Sequence, residues 1–186
     1  QLRSCTGGIL GAGRIGARVM EELRGFGCRV IYWNRTSRPG LAGAQVSLET
    51  LYRESDIISL HMPLTPETQH IISRDAMEKM KPGVILVNTA RGGLVDTQAL
   101  IDALETGKVG GAALDVVEGE AGLYHFNKMS DQIGNRALSI LKDMPNVVFT
   151  PHMAFYTGEA VEEMAHCSVA ACKLFAEGRE IPWKII

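Results

Sequence analysis

The sequence predicts an α/β fold, a doubly wound parallel sheet with helices on both faces. Two patterns carry this prediction. Short apolar runs of strand length alternate with amphipathic stretches of helix length along the 186-residue chain, as expected where crossover helices link parallel strands. The first apolar run also leads straight into Gly11-Ala-Gly-Arg-Ile-Gly16, a turn suited to joining a strand to a helix around a pyrophosphate.

Taken in order, Thr6–Leu10 reads as the first strand, weakened by Gly7 and Gly8. From Ile15 to about Arg24, Ile15, Val19, Met20 and Leu23 fall on one helical face, and Gly25 and Gly27 stop the helix. Arg29–Trp33, rich in Val, Ile and aromatic residues, is the second strand. Val46 marks a short extended segment, followed by a helix over Leu48–Glu54 and a strand over Ile57–His61 closed by Pro63. Thr65-Pro66-Glu67 combines a cap, a first-turn proline and an acid, and so predicts a helix start.

Val84–Asn88 is a strand between Pro82-Gly83 and Arg91-Gly-Gly. Asp96 is expected to cap a helix over Gln98–Glu105 that turns Leu100, Ile101 and Leu104 inward. Gly111–Leu114 and Val147–Phe149 read as two more short strands. The stretch between them, 121–146, is polar and irregular, with one helix around Arg136–Lys142; a long final helix covers Gly158–Ala176. The whole reads as one nucleotide-binding domain, with its core over about 1–156 and a C-terminal helix and tail over 157–186.

Composition excludes several classes of function. A net charge of −2 and a pI near 6.2 give no electrostatic reason to bind nucleic acid or an anionic membrane. No apolar stretch reaches the roughly 18 residues of a spanning helix, and no basic-then-apolar leader opens the sequence. Cys5, Cys28, Cys167 and Cys172 are irregularly spaced, which points to reduced thiols in the cytoplasm rather than disulfides or a metal site.

A lone G-x-G-x-x-G is weak evidence, but here an apolar run precedes it and an amphipathic helix follows. Gly11 permits the tight turn, Gly13 lets the backbone approach a pyrophosphate, and Gly16 lets helix and strand pack closely. A glycine-rich turn without a ligand is the plainer alternative. The second strand ends not in an acid but in Asn34, followed by Arg35, Thr36 and Arg38. A neutral amide does not repel a 2′-phosphate and a guanidinium pairs with one, so the residues lean toward NADPH or toward use of both cofactors. The alternative is that Arg35 and Arg38 are solvated loop charges.

Reduction of a 2-keto acid needs a grip on the carboxylate, a polarised carbonyl and a proton donor. Arg91, in Asn88-Thr-Ala-Arg-Gly-Gly, suits the first two tasks with its planar fork. His152, in Thr150-Pro-His, suits the third, because imidazole titrates near working pH. Glu120 is the candidate partner that favours its protonated form and fixes the ring. Standing alone, an Arg after a strand is more often a surface or structural residue, which the small residues around Arg91 reverse, and a His after a strand and a proline is more often a structural hydrogen-bonder. Asp115 could face the nicotinamide side or serve as a turn aspartate. His61, His70, His125 and His166 carry only structural readings.

These motifs together resemble the nucleotide-binding half of the D-isomer-specific 2-hydroxyacid dehydrogenases. The resemblance runs through the glycine turn, Asp56-Ile-Ile-Ser-Leu-His-Met-Pro-Leu-Thr-Pro-Glu-Thr, Met80-Lys-Pro-Gly-Val-Ile-Leu-Val-Asn-Thr-Ala-Arg-Gly-Gly-Leu-Val-Asp, Gly110-Gly-Ala-Ala-Leu-Asp and Asn146-Val-Val-Phe-Thr-Pro-His. It implies a Rossmann-type fold, an NAD(P)H cofactor and a homodimer. It further implies that Arg91 binds substrate, that Glu120 pairs with the acid/base His152, and that Arg14 and Ile15 contact the diphosphate. Met62, Pro63 and Thr68 would wall the adenosine side, Thr89, Ala90 and Asp115 the nicotinamide side, and Asn34 falls at the ribose position.

The long insert between Glu120 and Pro145, and Phe155-Tyr156 after the histidine, resemble the D-lactate dehydrogenase branch. Phe155 and Tyr156 would then wall a pocket for a short 2-keto acid, or pack a core. Members of this family are about twice as long and build their substrate domain mainly ahead of the glycine turn. The substrate domain is therefore expected to be absent here, and turnover by this chain feeble. Two other functions remain open from the sequence: a nucleotide-sensing module of the corepressor type, and an inert relic of the fold.

Overall fold

A computed structural model of the chain describes residues 1–120 and 135–182. His125, and most of the insert after Glu120, lie outside the described residues. The chain divides into two compact units, Gln1–His152 and Met153–Ile186.

The first unit is built on a seven-stranded, all-parallel sheet. Its strands are β1 (Thr6–Leu10), β2 (Arg29–Trp33), β3 (Ala44–Gln45), β4 (Ile57–Leu60), β5 (Val84–Asn88), β6 (Val109–Leu114) and β7 (Val147–Phe149), in the order β3-β2-β1-β4-β5-β6-β7. The order reverses between β1 and β4, the switch point at which such sheets open a ligand crevice beyond their C-terminal ends. The crossover helices are α1 (Arg14–Gly25), α2 (Leu48–Glu54), α3 (Arg74–Lys79), α4 (Thr97–Glu105) and α5 (Arg136–Asp143).

Side-chain alternation explains why both faces are covered at β1 and β2. Ile9, Val30 and Tyr32 join Met20 of α1 in one apolar cluster, while Leu10 and Ile31 join Leu51, Ile58, Leu60, Met77 and Leu100 in another. Successive residues of a strand point to opposite faces, so a strand buried on both sides feeds two clusters. Burying each such Leu or Ile contributes about 1.5–3 kcal/mol.

Side-chain caps fix the helix starts. Ser47, Ser73, Asp96 and Asn135 each accept an N–H from the first turn of α2, α3, α4 and α5, contacts worth about 1 kcal/mol apiece. Among the described α-helices only α1 has no side-chain cap; its N-cap is Gly13.

Three expectations need correcting. Thr65-Pro66-Glu67 starts a single turn, not a helix. Thr68 Oγ1 accepts from Thr65 N and donates to Pro63 O, and the turn ends at His70, whose φ of 51° leaves helical space. His70 and Ile72 then donate to Gly93 O and Leu94 O instead, so pairing with a distant segment overrides the local start signal; the helix begins at Arg74. Ile15 does not face the core, being 69% exposed. The short segment expected at Val46 forms its strand one residue earlier, at Ala44–Gln45.

The second unit contains α6 (Gly158–Ala176), capped by Thr157. Phe155 and Tyr156 pack edge to face there, with ring centres 6.0 Å apart. All four cysteines are unpaired. Among the described residues no helix is long and apolar enough to cross a membrane, and no group of three or more His, Cys, Asp or Glu could hold a metal ion.

Asp56 anchors the start of β4 to β1 and β5. Its carboxylate accepts Thr6 N at 2.7 Å and Lys81 Nζ at 2.8 Å. Burial pushes its carboxyl pKa up, but the Lys81 and Thr6 hydrogen bonds outweigh that, and the net shift is downward. A lowered folded-state pKa contributes stability that is full above the unfolded value and is lost as pH falls through the folded one. Asp56→Asn is expected to cost about 1 kcal/mol at pH 7, with solvent screening keeping it small. In urea unfolding the cost should shrink as pH drops below 4; a cost independent of pH would contradict this account.

Candidate functional site

The residues singled out for chemistry in the first unit lie in the segments that leave the C-terminal ends of its strands, with Arg14, Ile15 and Gly16 in the first turn of α1. β1 leads into Gly11–Gly16, β4 into His61-Met62-Pro63, β5 into Thr89-Ala90-Arg91, β6 into Asp115–Glu120, and β7 into Thr150-Pro151-His152. Parallel strands carry all these ends to one edge. A cleft of about 630 Å³ opens there, lined by Ile15, His61, Met62, Pro63, Leu64, Thr89, Ala90 and Arg91.

The three glycines of the turn are glycine for different reasons. A Cβ on Gly11, at φ 93°, would sit 2.6 Å from His61 O, and one on Gly16 would sit 2.0 Å from Gly11 O. A Cβ on Gly13 would meet nothing within 4 Å, and its φ of −70° suits any residue. The protein's own packing therefore explains Gly11 and Gly16 but not Gly13. Bare backbone at Gly13, beside the uncapped start of α1, fits an anionic ligand whose phosphates would take the first-turn N–H groups. The residues present thus fit a dinucleotide, with Arg14 and Ile15 at that first turn.

Asn34 and Arg38 brace the turn from β2. Asn34 Oδ1 accepts Ala12 N at 3.1 Å, and its amide nitrogen donates to Thr36 O at 3.0 Å. Arg38 Nη1 donates to Ala12 O at 2.7 Å, so Arg38 is not a free loop charge. Arg35 is exposed; its charge is one of the causes that lower the pKa of Glu67, after hydrogen bonds from Thr65 and the backbone. Thr68 does not line the cleft but holds Pro63 through its carbonyl.

At the other side, Arg91 lines the cleft, and its Nη1 donates to Ala90 O at 2.6 Å. His152 Nδ1 lies 3.0 Å from Glu120 Oε1, and Glu120 Oε2 accepts Val117 N at 2.9 Å. The glutamate is thus fixed at one oxygen by backbone and at the other by imidazole. His152 has a left-handed backbone, φ 53°, imposed by its N–H bonds to Asp115 O and Thr150 O. Asp115 is 3% exposed and accepts Thr150 Oγ1, while its N–H donates to Asn88 O. It ties together the ends of β5, β6 and β7.

Sequence reasoning left out two cleft residues, His61 and Leu64. His61 is largely buried, which lowers its pKa, and its Nε2 lies 2.8 Å from Ser59 Oγ. Its position directly before Met62-Pro63 at a strand end was the available signal.

A switch-point cleft, a bare glycine turn and a carboxylate–imidazole pair at the same sheet edge define an α/β domain of the dinucleotide-binding class. The chain belongs to the family described as D-isomer specific 2-hydroxyacid dehydrogenase, NAD binding domain, whose model matches residues 1–154. It is 44% identical over 174 residues to an aromatic 2-oxoacid reductase of Clostridium sporogenes, an alignment covering 91% of this chain and 52% of the relative. It superposes on a D-lactate dehydrogenase of Treponema pallidum with a TM-score of 0.93 and 38% identity, covering 100% of this chain and 56% of the other. A NAD-complexed D-isomer specific 2-hydroxyacid dehydrogenase from Lactobacillus delbrueckii ssp. bulgaricus gives a TM-score of 0.92 at 35% identity, again with 100% and 56% coverage. The chain therefore spans about half the length of the relatives it matches.

Proposed function

We propose that this chain is the nucleotide-binding and catalytic half of an oxidoreductase that moves a hydride between NAD(P)H and a 2-keto acid, forming the D-2-hydroxy acid. The observation that carries the proposal is the His152–Glu120 pair, 3.0 Å apart, at the same sheet edge as the glycine turn. When bound, the cofactor supplies the hydride that reaches the substrate's carbonyl carbon. The chain's own residues do the rest. Gly11, Gly13, Arg14, Ile15 and Gly16 hold the diphosphate; Met62 and Pro63 wall the adenosine side with Thr68 bracing them; Thr89 and Ala90 flank the nicotinamide.

Arg91 grips the substrate carboxylate and draws electron density from the carbonyl. His152, with Nδ1 turned to Glu120, gives its Nε2 proton to the oxygen during reduction and takes it back during oxidation. Glu120 keeps the ring in that orientation. No observation on this chain favours the nucleotide-sensing alternative.

The cofactor proposal leans to NADPH. Its support is the neutral Asn34, the exposed Arg35, and Arg38 held at the glycine turn through Ala12 O. Fluorescence titration of the chain with both reduced nucleotides tests it, with tighter NADPH binding expected. A preference for NADH would reduce the arginines to structural and loop charges. Failure to bind either would mean that the cleft needs residues outside this chain.

The same proposal takes residues 1–156 as the cofactor core and 157–186 as helix and tail. It includes a homodimer, a cytoplasmic setting that the unpaired thiols favour, and a separate substrate domain of which the relatives' extra length is the support. Turnover by this chain alone should then be feeble.

A further inference from the structure

Among the described residues two non-glycine positions have a left-handed backbone, His70 at φ 51° and His152 at φ 53°. A side chain with a Cβ adopts that conformation only where its surroundings impose it. Both rings pair with a glutamate of one short stretch: His152 with Glu120, and His70 Nε2 with Glu118 Oε1 at 2.6 Å.

Glu118 is a junction. Its other carboxylate oxygen accepts Thr97 N, the first residue of α4, at 3.1 Å. Its carbonyl accepts Asn135 Nδ2 at 3.0 Å, and Asn135 caps α5. Gly119, at φ 69°, then turns the chain so that Glu120 folds back onto Val117 N and meets His152. The stretch also abuts the Arg91 loop, since a Cβ on Gly92 would lie 2.1 Å from the Val117 carbonyl carbon. His70 holds that loop from its other end, donating its N–H to Gly93 O at 2.9 Å.

We infer that His70 and Glu118 form a clamp of positioning residues that sets the Glu120–His152 pair and the Arg91 loop in register with each other. The clamp deepens the function proposed above and rests on it. Glu120 reaches its partner through one turn whose entry is Glu118, so a displaced Glu118 carries Glu120 with it. Misplacing a reacting group by about 1 Å costs up to about a hundredfold in rate.

The test uses the whole chain with ¹⁵N-labelled histidine, as His70→Gly, Glu118→Gln and Glu120→Gln. Glycine suits the left-handed backbone at position 70 while removing the ring. Glutamine keeps the size of Glu118 and an acceptor for Thr97 N. Both clamp variants should bind reduced nucleotide within about twofold of the parent, because the glycine turn is untouched. Their His152 ring signals should move toward that of Glu120→Gln, and single-turnover reduction of a 2-keto acid should fall about tenfold. The double variant should be no worse than His70→Gly alone, as expected for two halves of one contact.

An unchanged His152 signal in both folded variants overturns the clamp. So does loss of nucleotide binding in both, which would make His70 and Glu118 general supports of the cleft. If Glu120→Gln itself leaves the His152 signal unmoved, the proposed acid/base pair fails first and the clamp has nothing to position.

Discussion

Gly13→Ala is expected to cut nucleotide affinity about a hundredfold, or about 2.8 kcal/mol, while the chain folds almost as before. The asymmetry follows from what each glycine touches. A methyl group on Gly13 meets no protein atom within 4 Å, and the residue has an ordinary φ of −70°, so folding loses at most about 1 kcal/mol from a poorer helix cap. The same methyl would occupy the space through which a pyrophosphate approaches the first-turn N–H groups. Gly16→Ala is the contrasting control. Its Cβ would sit 2.0 Å from Gly11 O, so helix and strand must separate, and stability and binding should fall together. Urea unfolding alongside nucleotide fluorescence separates the two cases. Gly13→Ala binding within about threefold of the parent would mean the turn is glycine-rich for reasons other than a ligand.

His152→Gln should lower single-turnover hydride transfer by a factor of about 10²–10⁴, the usual range for losing a positioned acid/base group. Glutamine can still hydrogen-bond but cannot deliver a proton at neutral pH. Nucleotide affinity should not change, because the ring is absent from the residues that line the cleft around Met62 and Thr89. Glu120→Gln should act in the same direction and less severely, since it leaves an acceptor facing Nδ1 but replaces the carboxylate there with a neutral amide. With enzyme in excess over nucleotide, the rate of NAD(P)H consumption by a 2-keto acid measures the chemical step directly. Equal rates for the parent and His152→Gln would remove His152 from the chemistry.

Much of the fold was legible because its signals are local. Strand, helix and cap patterns are written in neighbouring residues: Asp96 caps its helix and Leu48–Glu54, Val147–Phe149 and Gly158–Ala176 form where they are expected. The misread places are those where a distant segment decides. Thr65-Pro66-Glu67 has every local mark of a helix start, yet His70 and Ile72 bond to Gly93 and Leu94, and the helix waits until Arg74. Ile15 fits an apolar stripe, yet the turn before it aims its side chain into the cleft.

The sequence by itself determined the class of fold, the glycine turn and the residue types able to grip an acid and pass a proton. Each follows from a residue's own chemistry and its near neighbours. The resemblance paired Glu120 with His152 in advance; only the tertiary structure decided that contact's geometry and the meetings of Arg38 with the glycine turn and of His70 with Glu118. Glu120 reaches His152 across 32 positions of chain, Arg38 reaches the glycine turn across 26, and His70 reaches Glu118 across 48. Such meetings depend on strand order and on the turns that end each strand, and no short-range pattern encodes them.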